Sequence, residues 1–273
     1  MALYIGERDK IMWLRTSCDF RFNITVPTPF VLMLRPRSGV NQWIASEEYK
    51  IVPTVPVVEF TDIYGNLCQR LIAPPGPFSI HTAAEVMTPD HVDQAPGAPF
   101  TEVQFLPDSV LIYLLPSRYC EADHFSRMAG EITAGELLGY DQVRSITQWL
   151  RDTIRYESEG SDVQVSAIEV NARQSGVCRD FAHLGIALCR SLSIPARMVV
   201  GYLHGLHPMD LHAWFEAYVG GRWYAFDATQ AEMKGGYVAI GYGRDAADVA
   251  IYNQFGPALY PVSNVVHVDE IQE

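Results

Sequence analysis

Between about residues 16 and 115 the chain alternates short apolar runs with proline breaks. Phe20 to Val26, Phe30 to Leu34, Tyr49 to Val58, Leu67 to Ile72 and Val110 to Leu115 are runs of this kind. Bounded by turn residues, they predict an all-β region. The breaks at Pro74-Pro75-Gly76-Pro77 and Ala95-Pro96-Gly97-Ala98-Pro99 suit neither a helix nor a central strand.

After Pro116 the period changes. Thr133-Ala134-Gly135-Glu136 has the form of a capping box. Leu137, Val143, Ile146, Leu150 and Ile154 follow at helical spacing, which predicts a helix over 134–154. Phe181, Leu184, Leu188 and Leu192 form a second stripe with Pro195 just beyond it, so a second helix is expected from about Cys178 to Ser193. Cys178 then lies in the first turn of that helix. The change of texture divides the chain into a β-rich part, 1–116, and a mixed part, 117–273.

Farther along, Arg197 to Leu203 reads as a buried strand. From Leu211 to Val219 the apolar set Leu211, Ala213, Phe215, Ala217 and Val219 alternates with His212, Trp214, Glu216 and Tyr218, which is strand periodicity. Gly220-Gly221 is a two-residue hairpin signal. If these glycines form the turn, Val219 faces Arg222, and counting back puts Trp214 opposite Asp227 and His212 opposite Thr229. Those four side chains then share a face, with Asp227 diagonal to His212 at a reach of about 7–8 Å. A slip of one residue would separate them onto opposite faces.

Composition sets limits on what this fold can do. With 273 residues, 48% hydrophobic and 19% charged, the chain is long enough for a sizeable core and has ordinary globular usage. Its 20 Lys and Arg against 32 Asp and Glu give a net charge of −12, which argues against a nucleic-acid partner or an anionic membrane surface. Cysteines stand at 18, 68, 120, 178 and 189, an odd number without a C-x-x-C pair, so reduced thiols are expected. The first ten residues meet charge too early for a signal-peptide core, and no apolar run reaches the length of a membrane helix. A cytoplasmic, unanchored protein is the expectation.

The candidate chemistry centres on Cys178, in Ser175-Gly176-Val177-Cys178-Arg179-Asp180. A thiol at a helix N-terminus meets unpaired N–H groups and the positive end of the helix dipole, which favour the nucleophilic thiolate. Gly176 permits close backbone approach before the helix. A lone cysteine is otherwise most often a buried structural residue. His212 and Asp227 change this reading, because a carboxylate accepting the imidazole N–H fixes the tautomer and supports the imidazolium. Gln174 is a candidate oxyanion donor, with Asn171 as an alternative, and Trp214 a candidate wall against water. His183, five residues past Cys178, falls well round the helix from the thiol and is a poor base.

Gly176-Val177-Cys178-Arg179-Asp180, His212-Ala213-Trp214 and Asp227-Ala228-Thr229 resemble, in order and spacing, the three catalytic blocks of the transglutaminase-like superfamily, especially its bacterial cysteine-protease-like branch. More loosely, the proline-broken β region, Ser117-Arg118-Tyr119-Cys120 and Gly243-Arg244-Asp245-Ala246-Ala247-Asp248 resemble segments of that branch. Ala228 stands where proline is more usual. The resemblance implies an α+β fold: a β-rich N-terminal domain, 1–116, and a transglutaminase-like (papain-like) catalytic domain, 117–273, with the nucleophile helix on an antiparallel sheet. It implies acyl transfer from amides through a thioester on Cys178, with a peptide or protein as substrate and hydrolysis the expected outcome. The alternatives are a cross-linking transglutaminase or deamidase, or a peptide-binding module without turnover. No acidic calcium loop is visible, so no metal and no cofactor are expected. A rival zinc set, His204, His207 and His212 with Asp210, lacks the helical His-x-x-x-His spacing that such a site would use.

Overall fold

A computed structural model describes residues 10–157 and 164–271. The first nine residues, on which the reading of the N-terminus rests, lie outside the described residues. The N-terminal part contributes six strands: β1 (Ile11–Ile24), β2 (Thr28–Leu32), β3 (Trp43–Val52), β4 (Val57–Thr61), β5 (Leu67–Ala73) and β6 (Gly76–Pro89). Three short helices follow: α1 (Asp108–Leu111), α2 (Ser126–Ile132) and α3 (Tyr140–Thr153). Next come β7 (Arg155–Tyr156), α4 (Ala167–Arg173), β8 (Ser175–Gly176) and α5 (Cys178–Ser191). The chain ends in β9 (Ala196–Leu203), β10 (His212–Val219), β11 (Arg222–Phe226), β12 (Tyr237–Gly243), β13 (Tyr252–Gln254) and β14 (Ser263–Glu270).

β1 and β6 pair antiparallel over their full length, from Ile11 against Pro89 to Ile24 against Gly76. On β1, Leu14, Thr16, Cys18, Phe20, Phe22 and Ile24 are buried at every second position, as a half-buried strand requires. β6 begins inside the proline-rich break and was not legible as a strand. Its inward set includes Thr82, Ala84 and Thr88, which carry little hydrophobic signal. Two antiparallel sheets result, β14-β1-β6-β3 and β13-β2-β5-β4. They meet through aromatic rings, Phe22 on Phe30 at 5.4 Å and Phe30 on Phe78 at 6.1 Å. Each such ring contributes roughly 1.5–3 kcal/mol by leaving water. The two sheets are completed from the C-terminal end, β14 pairing with β1 and β13 with β2. The sheet partners of segment 117–273 are therefore not confined to it.

Two expected elements come out differently. Val110 to Leu115 is not a strand but a helical turn, α1, continued by a 3-10 turn. Pro107 precedes it and Asp108 stands in its first turn, both favourable at a helix start. The buried residues Leu106, Val110 and Tyr113 follow helical spacing. The helix expected over 134–154 starts only at Tyr140, and Leu137 is exposed outside it. Gly139 sits at φ 111° with its Cα against the backbone of residues 98–100, where a Cβ would come within 2.5 Å of Ala98 O. That contact stops the helix from extending backward. Gln142 Oε1 accepts the Gly139 N–H at 3.1 Å and caps the start instead of Glu136.

A third four-stranded sheet, β11-β10-β9-β12, is antiparallel and carries α5 on one face. Phe181 through Arg190 are all buried, so α5 is a central helix covered on every side. Gly185 lets it approach β10, because a Cβ there would lie 2.7 Å from the Phe215 ring. The later part of α5 is tied down by the two segments Ser117–Cys120 and Gly243–Asp248. Arg190 donates to Ser117 Oγ and to the carbonyls of Leu115, Ala196 and Arg244. Asp245 accepts the Tyr119 N–H at 2.7 Å. Among the described residues no helix is long and apolar enough to cross a membrane.

Candidate active site

Cys178 is the first residue of α5, after the parallel pair β7 and β8. Asp180 Oδ2 accepts the Val177 N–H at 3.1 Å, which fixes the turn into the helix. Gly176 is required at the approach, since a Cβ would stand 2.7 Å from Asp180 Cβ. Cys178 is part-exposed, whereas Cys18, Cys68, Cys120 and Cys189 are buried. Burial pushes the thiol pKa of all four upward, that of Cys68 to about 11. Those four are structural thiols.

The hairpin forms in the register that the glycine turn dictates. Val219 pairs with Arg222 and Phe215 with Phe226, and Gly220 and Gly221 both have positive φ. β11 ends at Phe226, so Asp227 leaves the ladder just where it comes beside His212. His212 Nε2 donates to Asp227 Oδ2 at 2.6 Å, with His212 1% and Asp227 2% exposed. The other carboxylate oxygen, Oδ1, accepts from the Thr229 N–H at 2.9 Å and the Thr229 hydroxyl at 2.7 Å. Tyr237, from β12, donates its hydroxyl to Oδ2 at 3.0 Å. Burial works against the Asp227 anion, but hydrogen bonding and charge from His212, with the Thr229 donors, outweigh it and hold the carboxyl below its ordinary value.

Burial likewise works against charge on His212. Hydrogen bonding and charge from Asp227 and from Cys178 reverse the balance and push the imidazole up to about 10. Nδ1 is buried and makes no hydrogen bond of good geometry. With Nε2 occupied by Asp227, Nδ1 is the nitrogen left for the thiol, and the two stand close enough to interact without a closed hydrogen bond. Trp214 lies over the imidazole, ring centroids 6.1 Å apart and planes 22° apart, and Tyr237 packs on the indole at 5.0 Å.

Arg151, on α3, belongs to no motif that marks it in the sequence. It donates to the carbonyls of Asp227, Ala228, Gln230 and Ala231, and so clamps the loop that carries the carboxylate. Tyr237 also carried no sequence signal, because it lies beyond the hairpin on a strand whose position only the sheet order reveals. Tyr156 stands on β7 near the thiol, half-exposed and tilted against Phe181 with ring centroids 6.0 Å apart. Its hydroxyl pKa rises through burial and the nearby Cys178.

Gln174 takes another role. It caps α4 in the left-handed region at φ 55°, and its Nε2 donates to Asn171 O at 2.5 Å. The amide nitrogen is bonded to the helix end, at both the carbonyl and the side chain of Asn171. His183 is fully buried and neutral in design: Nδ1 donates to Val165 O, Nε2 accepts from the Ala246 N–H, and the ring stacks on Tyr119. Burial lowers its pKa to about 4. His204 and His207 lie on the loop before β10, and among the described residues no three His, Cys, Asp or Glu side chains converge as a metal site.

A sequence model of the transglutaminase-like superfamily matches residues 126–228, from α2 to the residue after Asp227. A solved structure from Cytophaga hutchinsonii, described as a putative cysteine protease, superposes with a TM-score of 0.89 at 35% identity, covering 97% of this chain and 92% of that one. An uncharacterised protein of Mycobacterium leprae (strain TN) is 28% identical over 230 residues, 80% of this chain and 82% of its own length.

Proposed function

We propose that this chain, which belongs to the transglutaminase-like superfamily, is a thiol enzyme that opens amide or peptide bonds through a Cys178 thioester and passes the acyl group to water. The observation that carries this reading is the buried His212–Asp227 hydrogen bond of 2.6 Å on an imidazole that Cys178 also influences. An imidazole held protonated to about pH 10 beside a thiol is the acid half of a thiolate–imidazolium pair.

Each group then has a task. The Cys178 thiolate attacks the amide carbonyl carbon, and the electron pair moves to the carbonyl oxygen. The N-terminal end of α5, with its backbone N–H groups and positive helix dipole, stabilises that oxyanion. His212 gives its proton to the amide nitrogen, the C–N bond breaks, and the amine leaves with the acyl group bound to sulfur. The neutral imidazole then takes a proton from water as the oxygen attacks the thioester. Collapse expels the thiolate, releases the acid and restores the imidazolium. Asp227, held by Thr229 and Tyr237, keeps Nε2 protonated and the ring aimed throughout.

Water is the expected acceptor because aminolysis needs a bound amine at high effective concentration, and no lysine-recognition feature stands out in the sequence. The test supplies a panel of cleavable and glutamine-containing peptides together with a labelled primary amine. Hydrolysis should exceed amine incorporation, vanish in Cys178→Ala and fall by roughly 10²–10⁴-fold in Asp227→Asn. Predominant Cys178-dependent amine incorporation would assign cross-linking instead. Tight peptide binding without turnover in the wild type would assign a binding module.

A further inference from the structure

β12 is the outer strand of its sheet, paired with β9 on one side and, among the described residues, with no strand on the other. Its open-edge N–H and C=O groups need partners. Side chains of the N-terminal sheets provide them. Gln42, just before β3 and 6% exposed, closes a pair of bonds on Ala239: Oε1 accepts the N–H at 2.7 Å and Nε2 donates to the carbonyl at 2.8 Å. Asn66, at the entry to β5 and fully buried, does the same for Tyr242, accepting at 2.8 Å and donating at 2.7 Å. Each amide takes the place of a peptide group in a neighbouring strand. Thr88, near the end of β6, donates its hydroxyl to the Tyr237 carbonyl at 3.3 Å, and Gly235 N–H donates to Asp90 O at 3.0 Å.

The first residue of the strand so held is Tyr237, whose hydroxyl shares Asp227 Oδ2 with His212 Nε2. On the inner side β9 pairs with Tyr237, Val238 and Ala239 before the ladder shifts between Ala239 and Gly241, and the His204 N–H donates to Gly236 O at 3.0 Å, so this end of β12 is held from both edges. Hydrogen bonds weaken steeply once donor and acceptor move apart or out of line. The outer contacts therefore share with β9 in setting whether the phenol reaches the carboxylate.

We propose that Tyr237 is a positioning residue for the Cys178, His212 and Asp227 site, and that the N-terminal sheets hold it in place through Gln42, Thr88 and Asn66. The β-rich part is then a component of the catalytic device and not an appended module. This rests on the reading given under the proposed function. The titratable groups that bear on His212 are Asp227 and Cys178, and those that bear on Tyr237 are Asp227 and Arg151.

The experiment follows alkylation of Cys178 by iodoacetamide in the full chain across mildly acidic to alkaline pH, read by peptide mass. It needs no knowledge of the substrate. In the wild type the upper inflection reports loss of the His212 proton and falls near pH 10. In Tyr237→Phe the charge on Oδ2 acts on His212 alone, and the inflection moves up by roughly half a pH unit. Gln42→Met and the nearly isosteric Thr88→Val shift it in the same direction by less. The double variant Tyr237→Phe/Gln42→Met shifts it no further than Tyr237→Phe, because both act through one hydrogen bond. Thermal unfolding of each variant identifies those that fold, and Thr88→Val serves if Gln42→Met does not. A wild-type profile in Tyr237→Phe, in folded Thr88→Val or in folded Gln42→Met, or additive shifts in the double variant, would overturn the proposal. His212→Gln separates the two readings: an unchanged profile there refutes the Cys178–His212 pairing itself, whereas loss of the upper inflection leaves only the role of Tyr237 and the β sheets under test.

Discussion

His212 shows how little the identity of a residue says without its neighbours. A histidine on a strand is ordinarily a packed or surface residue. Here four donors converge on the carboxylate that faces it, and the imidazole stays charged where a free one would have lost its proton. Because the folded pKa, about 10, lies above the unfolded value of about 6.5, the charged histidine contributes stability that is fully present below pH about 6.5 and is lost as pH rises through 10. Asp227 works in the opposite sense, stabilising above its ordinary carboxyl value and losing that contribution as pH falls through its lowered one. His212→Gln keeps an N–H for Asp227 but carries no charge. The melting temperature of the wild type should therefore exceed that of His212→Gln at pH 6, and the gap should narrow steadily toward pH 10. Parallel melting curves across that range would contradict the assignment of the charge to His212.

At the scale of elements, the site depends on how closely α5 lies on β10. Gly185 allows that approach, and the ring it would strike belongs to Phe215, which is 1% exposed and stacked on Phe226 at 5.7 Å. A larger residue at 185 cannot be accommodated by rotation of an exposed group. Gly185→Val is expected to destabilise by about 1–3 kcal/mol, despite the gain in backbone rigidity, because overpacking outweighs it. Urea unfolding measures this directly, and an unchanged midpoint would show that helix and sheet are not in firm contact. The same scale explains the two elements that the sequence pattern misplaced. Val110 to Leu115 has strand-like residues but a helix-start signal in Pro107 and Asp108, and the start signal prevailed. The run ahead of Tyr140 has a capping-box pattern, yet Gly139 is needed against residues 98–100, so tertiary contact overrode the local signal.

For the whole molecule, the decisive feature is the return of the chain to its beginning. β14 pairs with β1 and β13 with β2, while Gln42 and Asn66 close the outer edge of β12. A fragment comprising 117–273 would leave β13 and β14 without partners and the edge groups of β12 unsatisfied. Such a fragment is expected not to fold cooperatively, with backbone amides of α5 exchanging as in an unfolded chain. Protection of α5 in the fragment equal to that in the full chain would refute this. The features legible in the residues alone are local. The Gly220-Gly221 turn, with the alternation of β10 and β11, set the register that brings Asp227 beside His212, and the apolar stripe with Pro195 beyond it placed Cys178 at a helix start. These follow from short-range geometry, a period of two or of 3.6 and a turn that accepts few residues. Tyr237, Arg151, Gln42 and Asn66 were decided only by tertiary structure. Each acts across a separation of at least ten residues, from tyrosine to its carboxylate or from an amide to a distant strand edge. A polar side chain carries no periodic mark of the partner it will meet; sheet order and the packing of one sheet edge on another select that partner.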